Sequence, residues 1–147
     1  MFPKTALVCA LLFAVASAQQ SIKVNPCADP GQGKIRSITV TPCDAEPCRM
    51  KKGADVTFGF EYTSDQDSKA VTLQGTVAGP FGIKIPIPGL IHDFCQVVKC
   101  PVQKATDYKG SFQMKIAKVP ITKTTVEMKV IGDSGLSACF NFPVVLY

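Results

Sequence analysis

From Asp55 to Tyr62 apolar and polar residues alternate without a break. Val56, Phe58, Phe60 and Tyr62 fall on one side, and Asp55, Thr57, Gly59 and Glu61 on the other. A two-residue repeat sets one face of a β-strand in a core and the other toward solvent, which a helix with its period of about 3.6 residues cannot do. The pattern returns at Phe112, Met114 and Ile116, at Val126, Met128 and Val130, and at Ala138, Phe140, Phe142 and Val144. Ile35–Thr41 and Lys69–Ala78 read as further strands. Turn signals stand between them at Lys52-Gly53, Ser64–Ser68 and Gly132-Asp133-Ser134-Gly135. About seven strands with little or no helix predict an all-β, antiparallel sandwich.

Residues 1–18 do not fit this pattern. One cation, Lys4, precedes an apolar run from Ala6 to Ala16, and Ala16-Ser17-Ala18 has the small-x-small form of a secretory cleavage site. The run is much shorter than the roughly 18 to 20 residues that cross a bilayer. The expectation is a signal peptide over residues 1–18 and a single domain over residues 19–147, exported to an oxidising compartment. Cys9 leaves with the signal, so the seven cysteines become an even set: Cys27, Cys43, Cys48, Cys95, Cys100 and Cys139. Such a set in an exported chain reads as three disulfides. Two pairs share a C-x4-C spacing, which assigns Cys43–Cys48 and Cys95–Cys100 and leaves Cys27–Cys139. That last closure contributes about 4.7 kcal/mol in the loop-entropy account. The C-x4-C spacing also suits zinc, but the compartment favours disulfides and no metal is assigned.

An immunoglobulin domain usually joins its sheets by mid-strand cysteines over a buried Trp. This chain has no Trp, and its assigned disulfides are two local clasps and one terminal tie. Nothing pins the sheets at the usual distance, so a hollow sandwich is permitted. The segment Gly79–Ile91 bears on that point. Its alternate prolines remove ladder donors and predict an edge strand or extended loop, while its isoleucines and Phe81 are too apolar for an ordinary surface loop. The segment either fills the core or rims an apolar cavity.

Several activities are excluded by what is missing. With 46% hydrophobic and 18% charged residues, and 11 Gly and 11 Pro without a period, the chain is neither disordered nor collagen-like. A net charge of +5 is too mild for a nucleic-acid partner. Gly132-Asp133-Ser134-Gly135 looks like the surroundings of a trypsin-type serine, yet that nucleophile needs a base and an orienting partner. The chain has one histidine, His92, beside Asp93. The tetrapeptide reads as a hairpin turn and His92 as a solvated loop residue. Without a phosphate loop or a His and carboxylate cluster, neither catalysis nor a cofactor is expected. Lys99, Lys104, Lys109, Lys115, Lys118, Lys123 and Lys129 outnumber the acids Asp107 and Glu127 in their stretch. They read as solvated strand faces, with attraction to an anionic membrane surface, about 1 kcal/mol per cation, as the functional alternative.

Thr41-Pro42-Cys43 with Glu46-Pro47-Cys48, the run Ile85-Pro86-Ile87-Pro88, and Cys95 to Cys100 followed by Pro101-Val102-Gln103-Lys104 together resemble the ML lipid-recognition family. The likeness is to its Niemann-Pick type C protein two branch of secreted cholesterol carriers, and Val130–Cys139 is also similar to the corresponding end of mite group-two allergens. It covers essentially all of residues 19–147, including the six cysteines. The resemblance implies an immunoglobulin-like sandwich of about seven strands, a lipid cavity between the sheets, and the same three disulfides. By motif the sterol-lining positions fall on Val40, Phe58, Ile83, Ile85, Val119, Val126, Met128, Phe140 and Val144, and the inward strand faces add Phe60, Val77, Met114 and Ile116. Ile85, Val119, Met128 and Phe140 stand where the family has other aromatic residues. A more adaptable lining suits fatty acids and other elongated lipids as well as sterols.

The implied function is a secreted, monomeric carrier that binds a sterol, fatty acid or similar lipid and transfers it without catalysis. The alternative is a lipid-presenting adaptor or recognition protein acting through a receptor, in innate immunity or chemical communication. Implied partners are the lipid, an anionic membrane surface, and a membrane sterol transporter or receptor. Asn25 precedes Pro-Cys and Asn141 precedes Phe-Pro, so the chain has no N-glycosylation sequon. That disfavours the glycan-dependent lysosomal route of the mammalian relative and points to extracellular fluid rather than the lysosomal lumen.

Overall fold

The computed structural model describes residues 20–147; the expected signal peptide and Cys9 lie outside them. Strands β1 (Gln20–Ile22), β2 (Asn25–Pro26), β3 (Lys34–Thr41), β4 (Cys48–Met50), β5 (Asp55–Thr63), β6 (Thr72–Ala78), β7 (Lys84–Pro86), β8 (Asp107–Lys115), β9 (Lys123–Gly132) and β10 (Gly135–Leu146) form two sheets. One runs β1-β3-β5-β8 and the other β2-β10-β9-β6-β7, with β4 also paired to β10. The long strands are those the two-residue repeat marks. β1, β2 and β4 exceed the expected number because two or three residues are too few to display a period. Every ladder is antiparallel except β4 on β10, where β4 arrives from the opposite sheet and no hairpin sets its direction. The prolines of the Gly79–Ile91 segment are accommodated as expected of an edge: β7 pairs only with β6.

Register brings the inward residues into contact. Phe58 lies between Val40 and Phe112 in the four-stranded sheet, and Met128 lies between Gly75 and Phe140 in the other. One end of the sandwich is plugged. Phe94, in a short 3-10 turn, enters between the sheets with its ring centroid 4.8 Å from Phe60 and 6.4 Å from Tyr62. The Asp93 carboxylate accepts the Cys95 N–H at 3.0 Å and fixes the turn. At the same end the Tyr62 hydroxyl is hydrogen-bonded to Ser137 Oγ, which donates to Asp65 at 2.6 Å. Joining a buried hydroxyl to a partner removes the cost of leaving it unsatisfied.

The disulfides are Cys27–Cys139, Cys43–Cys48 and Cys95–Cys100. The first ties the end of β2 to β10 within one sheet. The second closes the loop from β3 to β4, and the third the loop from β7 to β8, and both loops carry the chain from one sheet to the other. No disulfide among the described residues therefore crosses the middle of the sandwich. The Gly132–Gly135 segment is the β9–β10 hairpin turn. Asp133 N–H donates to Ser68 Oγ at 2.7 Å, Ser134 N–H to Gln66 Oε1 at 2.8 Å, and Lys69 N–H to the Asp133 carboxylate at 2.7 Å. These polar groups bind each other and hold the turn against the β5–β6 loop.

Candidate functional site

Away from the plug the two sheets enclose an apolar cavity of about 250 Å³. Its deep wall comes from both sheets. β5 and β8 supply Phe58 and Met114, β9 supplies Val126 and Met128, and β10 supplies Val144 and Leu146; Ile116 follows β8. All are buried. Two loops complete it, Pro80 to Leu90 around β7 and Ile116 to Ile121 between β8 and β9. Pro80, Pro88 and Pro120 on these loops are exposed, whereas Ile85, Ile87, Val119 and Ile121 are half-buried. The cavity thus opens through a rim of prolines, which bring no N–H group to an apolar edge. Every lining side chain is apolar. A second space of about 30 Å³ lies deeper, bounded by Phe60, Tyr62, Phe94, Phe140 and others, with Phe58 and Met128 lining both spaces.

Of the residues singled out from sequence, Phe58, Val77, Ile85, Met114, Ile116, Val119, Val126, Met128 and Val144 line the larger cavity. Phe60 and Phe140 line the smaller one. Val40 and Ile83 line neither. Val40 has no exposure at all and is packed in the core of the four-stranded sheet. Ile83 is 58% exposed, because the turn at Pro80–Gly82, with φ of 59° at Phe81 and 75° at Gly82, breaks the alternation that would have aligned it with Ile85. The sequence reading missed Met50 and Leu146, brought together by the parallel β4–β10 pairing, and Ala117, Pro120 and Ile121 in the β8–β9 loop. It singled out the Gly79–Ile91 segment but did not resolve that Ile87 and Leu90 line the cavity wall and Pro80 and Pro88 its rim. The run Ile116 to Ile121, with a single cation at Lys118, was the one available signal for its loop.

The lysines lie outside the cavity. Lys109 pairs with Glu61 at 3.5 Å, Lys115 with Asp55 at 3.3 Å, and Lys129 with Glu127 at 3.8 Å. Lys118 within the rim loop and Lys123 just after it are exposed and without an ion pair among the described residues. On the facing loop Phe81 is fully exposed, at 101%. At the opposite end the hydrogen bond from the Thr63 hydroxyl holds the Asp107 carboxyl below its ordinary 3.8; desolvation opposes it, and the Arg36 guanidinium adds to the lowering.

An immunoglobulin-like sandwich with an apolar cavity between its sheets, reached through a loop rim rather than across a sheet face, defines a class of small binding domains. Residues 21–146 match the family described as ML domain, and the chain belongs to that family. It is 36% identical over 137 residues to the mite group 2 allergen Pso o 2 of Psoroptes ovis, covering 92% of each chain. It is 32% identical over 133 residues to NPC intracellular cholesterol transporter 2 of Danio rerio, covering 80% of this chain and 86% of the relative. Among solved structures, a Niemann-Pick type C2 protein from Japanese carpenter ant superposes with a TM-score of 0.75 at 18% identity, covering 86% of this chain and all of that one, 100%. That likeness is of the fold.

Proposed function

We propose that the protein is a secreted, non-catalytic carrier that holds the hydrocarbon part of a lipid between its sheets and transfers it at membranes. The observation that carries this reading is the roughly 250 Å³ cavity with an entirely apolar lining. A space of about 150 Å³ lined in this way already takes up benzene. With no donor or acceptor side chain in the wall, a ligand buries its chain inside and leaves its polar group at the proline rim, since an unpaired polar group in the interior is costly. The relative from Danio rerio is named as a cholesterol transporter, which supports a lipid as the cargo. Met114 and Met128 in the wall suit both sterols and fatty acids. At about 0.3 kcal/mol per heavy atom, a ligand of roughly 28 heavy atoms binds with about 8 kcal/mol, near micromolar.

Delivery to an anionic membrane surface fits the rim. Phe81 is held where only solvent meets it, beside the mouth, with Lys118 and Lys123 on the facing side. Residues 1–18 act as the export signal, and three disulfides suit an oxidising, extracellular destination. Among the described residues no helix is long and apolar enough to cross a membrane. Native mass spectrometry of the purified protein, with extraction of what co-purifies, tests the carrier reading. A lipid bound one to one is the expected result. Finding no lipid, together with no displacement of a fluorescent fatty acid or sterol, rejects it. Transfer that occurs only when a receptor or membrane transporter is supplied would instead favour an adaptor.

A further inference from the structure

The two interior spaces are separated at one place. Phe58 from the four-stranded sheet and Met128 from the other line both the outer cavity of about 250 Å³ and the inner space of about 30 Å³. The two side chains differ in freedom. Phe58 is stacked on Phe112, ring centroids 5.6 Å apart and planes 23° from parallel, whereas Met128 is an unbranched thioether with three rotatable bonds. Gly75 sits opposite Met128 on β6. A Cβ built there lies 2.8 Å from Met128 Sδ and 2.6 Å from Leu90 Cδ2. Ile87 Cδ1 lies 2.9 Å from the same point, so the missing side chain at residue 75 leaves a recess that Met128 shares with Leu90 and Ile87 of the outer cavity.

We propose that Phe58 and Met128 form an internal septum that limits ligand length, with Met128 the movable half and Gly75 the recess that sets its position. The proposal rests on the lipid-carrier reading. An extended acyl chain entering tail first fills the outer cavity and stops against the septum. Longer chains gain further burial only by displacing Met128 into the inner space, which holds little more than a water-sized group. The septum thus makes chain length, rather than headgroup chemistry, the quantity the interior reads.

The test is competition by saturated fatty acids, from decanoate to eicosanoate, against a fluorescent fatty acid on the full secreted protein, with thermal unfolding as the control for folding. In the wild type, affinity is expected to rise by up to about fourfold per added methylene and then level off at the septum. Met128→Ala removes the movable half, so the break moves to longer chains by the few carbons that the inner space and the vacated thioether together hold. Gly75→Ala crowds the thioether together with Leu90 and Ile87 of the outer cavity and is expected to move the break to shorter chains; in the double variant Gly75→Ala with Met128→Ala the part of that shift due to the thioether is lost. A wild type that binds the series with no break, or a break at one length in the wild type and both single variants, overturns the septum while leaving the carrier reading intact. A wild type that binds no member of the series and no sterol overturns both. If Met128→Ala does not fold, Met128→Val, which shortens the same side chain with a smaller loss of volume, is read in its place, with the break again expected at longer chains.

Discussion

At the residue scale, buried apolar side chains in this chain fall into two kinds that sequence does not distinguish. Val40 and Val126 are both valines on inward strand faces, yet Val40 is packed solid and Val126 borders empty space. Overpacking a filled core costs about 1 to 3 kcal/mol. Val126→Phe is expected to cost less than that, because the ring enters the cavity, and to abolish lipid binding; thermal unfolding and ligand displacement measured together check both. A large loss of stability with unchanged binding would place the cavity elsewhere. Val40→Ala serves as the converse, destabilising by about 2 kcal/mol with binding retained. Asp107 yields a pH prediction. Its folded-state pKa lies below the ordinary 3.8, so its contribution is complete above that value and is lost as pH falls toward the lower folded value. Thr63→Val removes the principal cause, and acid unfolding followed by circular dichroism should begin at higher pH in the variant.

At the scale of elements, the loops decide function while the strands hold them. The turn Pro80–Gly82 keeps Phe81 at a positive φ that bulky side chains rarely adopt, and exposes its ring beside the cavity mouth. No packing contact explains that placement, and the proposed delivery at a membrane surface gives the ring a role that can be tested. Phe81→Ser is expected to slow lipid transfer to phosphatidylserine-containing vesicles by severalfold while leaving the equilibrium affinity for the same lipid unchanged. Equal transfer rates in the two proteins would remove Phe81 from the delivery step. The two clasps act on a different pair of loops. Cys43–Cys48 and Cys95–Cys100 both restrain segments that pass between sheets, and the second holds the Phe94 plug. The spacing of the cysteines in the sequence identified the clasps, but not that they staple crossovers, because sheet membership is a property of long-range pairing.

At the scale of the molecule, the sandwich is closed at one end by aromatic packing and a polar network and open at the other between two proline-bearing loops. An unfilled cavity forgoes dispersion contacts along its wall, so a bound lipid should stabilise the fold as well as occupy it. Ligand at about 100 times its dissociation constant is expected to add about 2.7 kcal/mol, read as a concentration-dependent rise in Tm. The long strands, their inward faces, the disulfide partners and the exclusion of the proline segment from the middle of a sheet were legible in the sequence. Each follows from a simple rule: a two-residue period, a short cysteine spacing that leaves one remaining pair, or a missing N–H. The short strands β1, β2 and β4, the exclusion of Val40 and Ile83 from the cavity, and the division of the interior by Phe58 and Met128 were decided only by tertiary structure. Whether an inward side chain meets a neighbour or a void depends on how far apart two sheets settle, and that distance is set by residues far away in the chain.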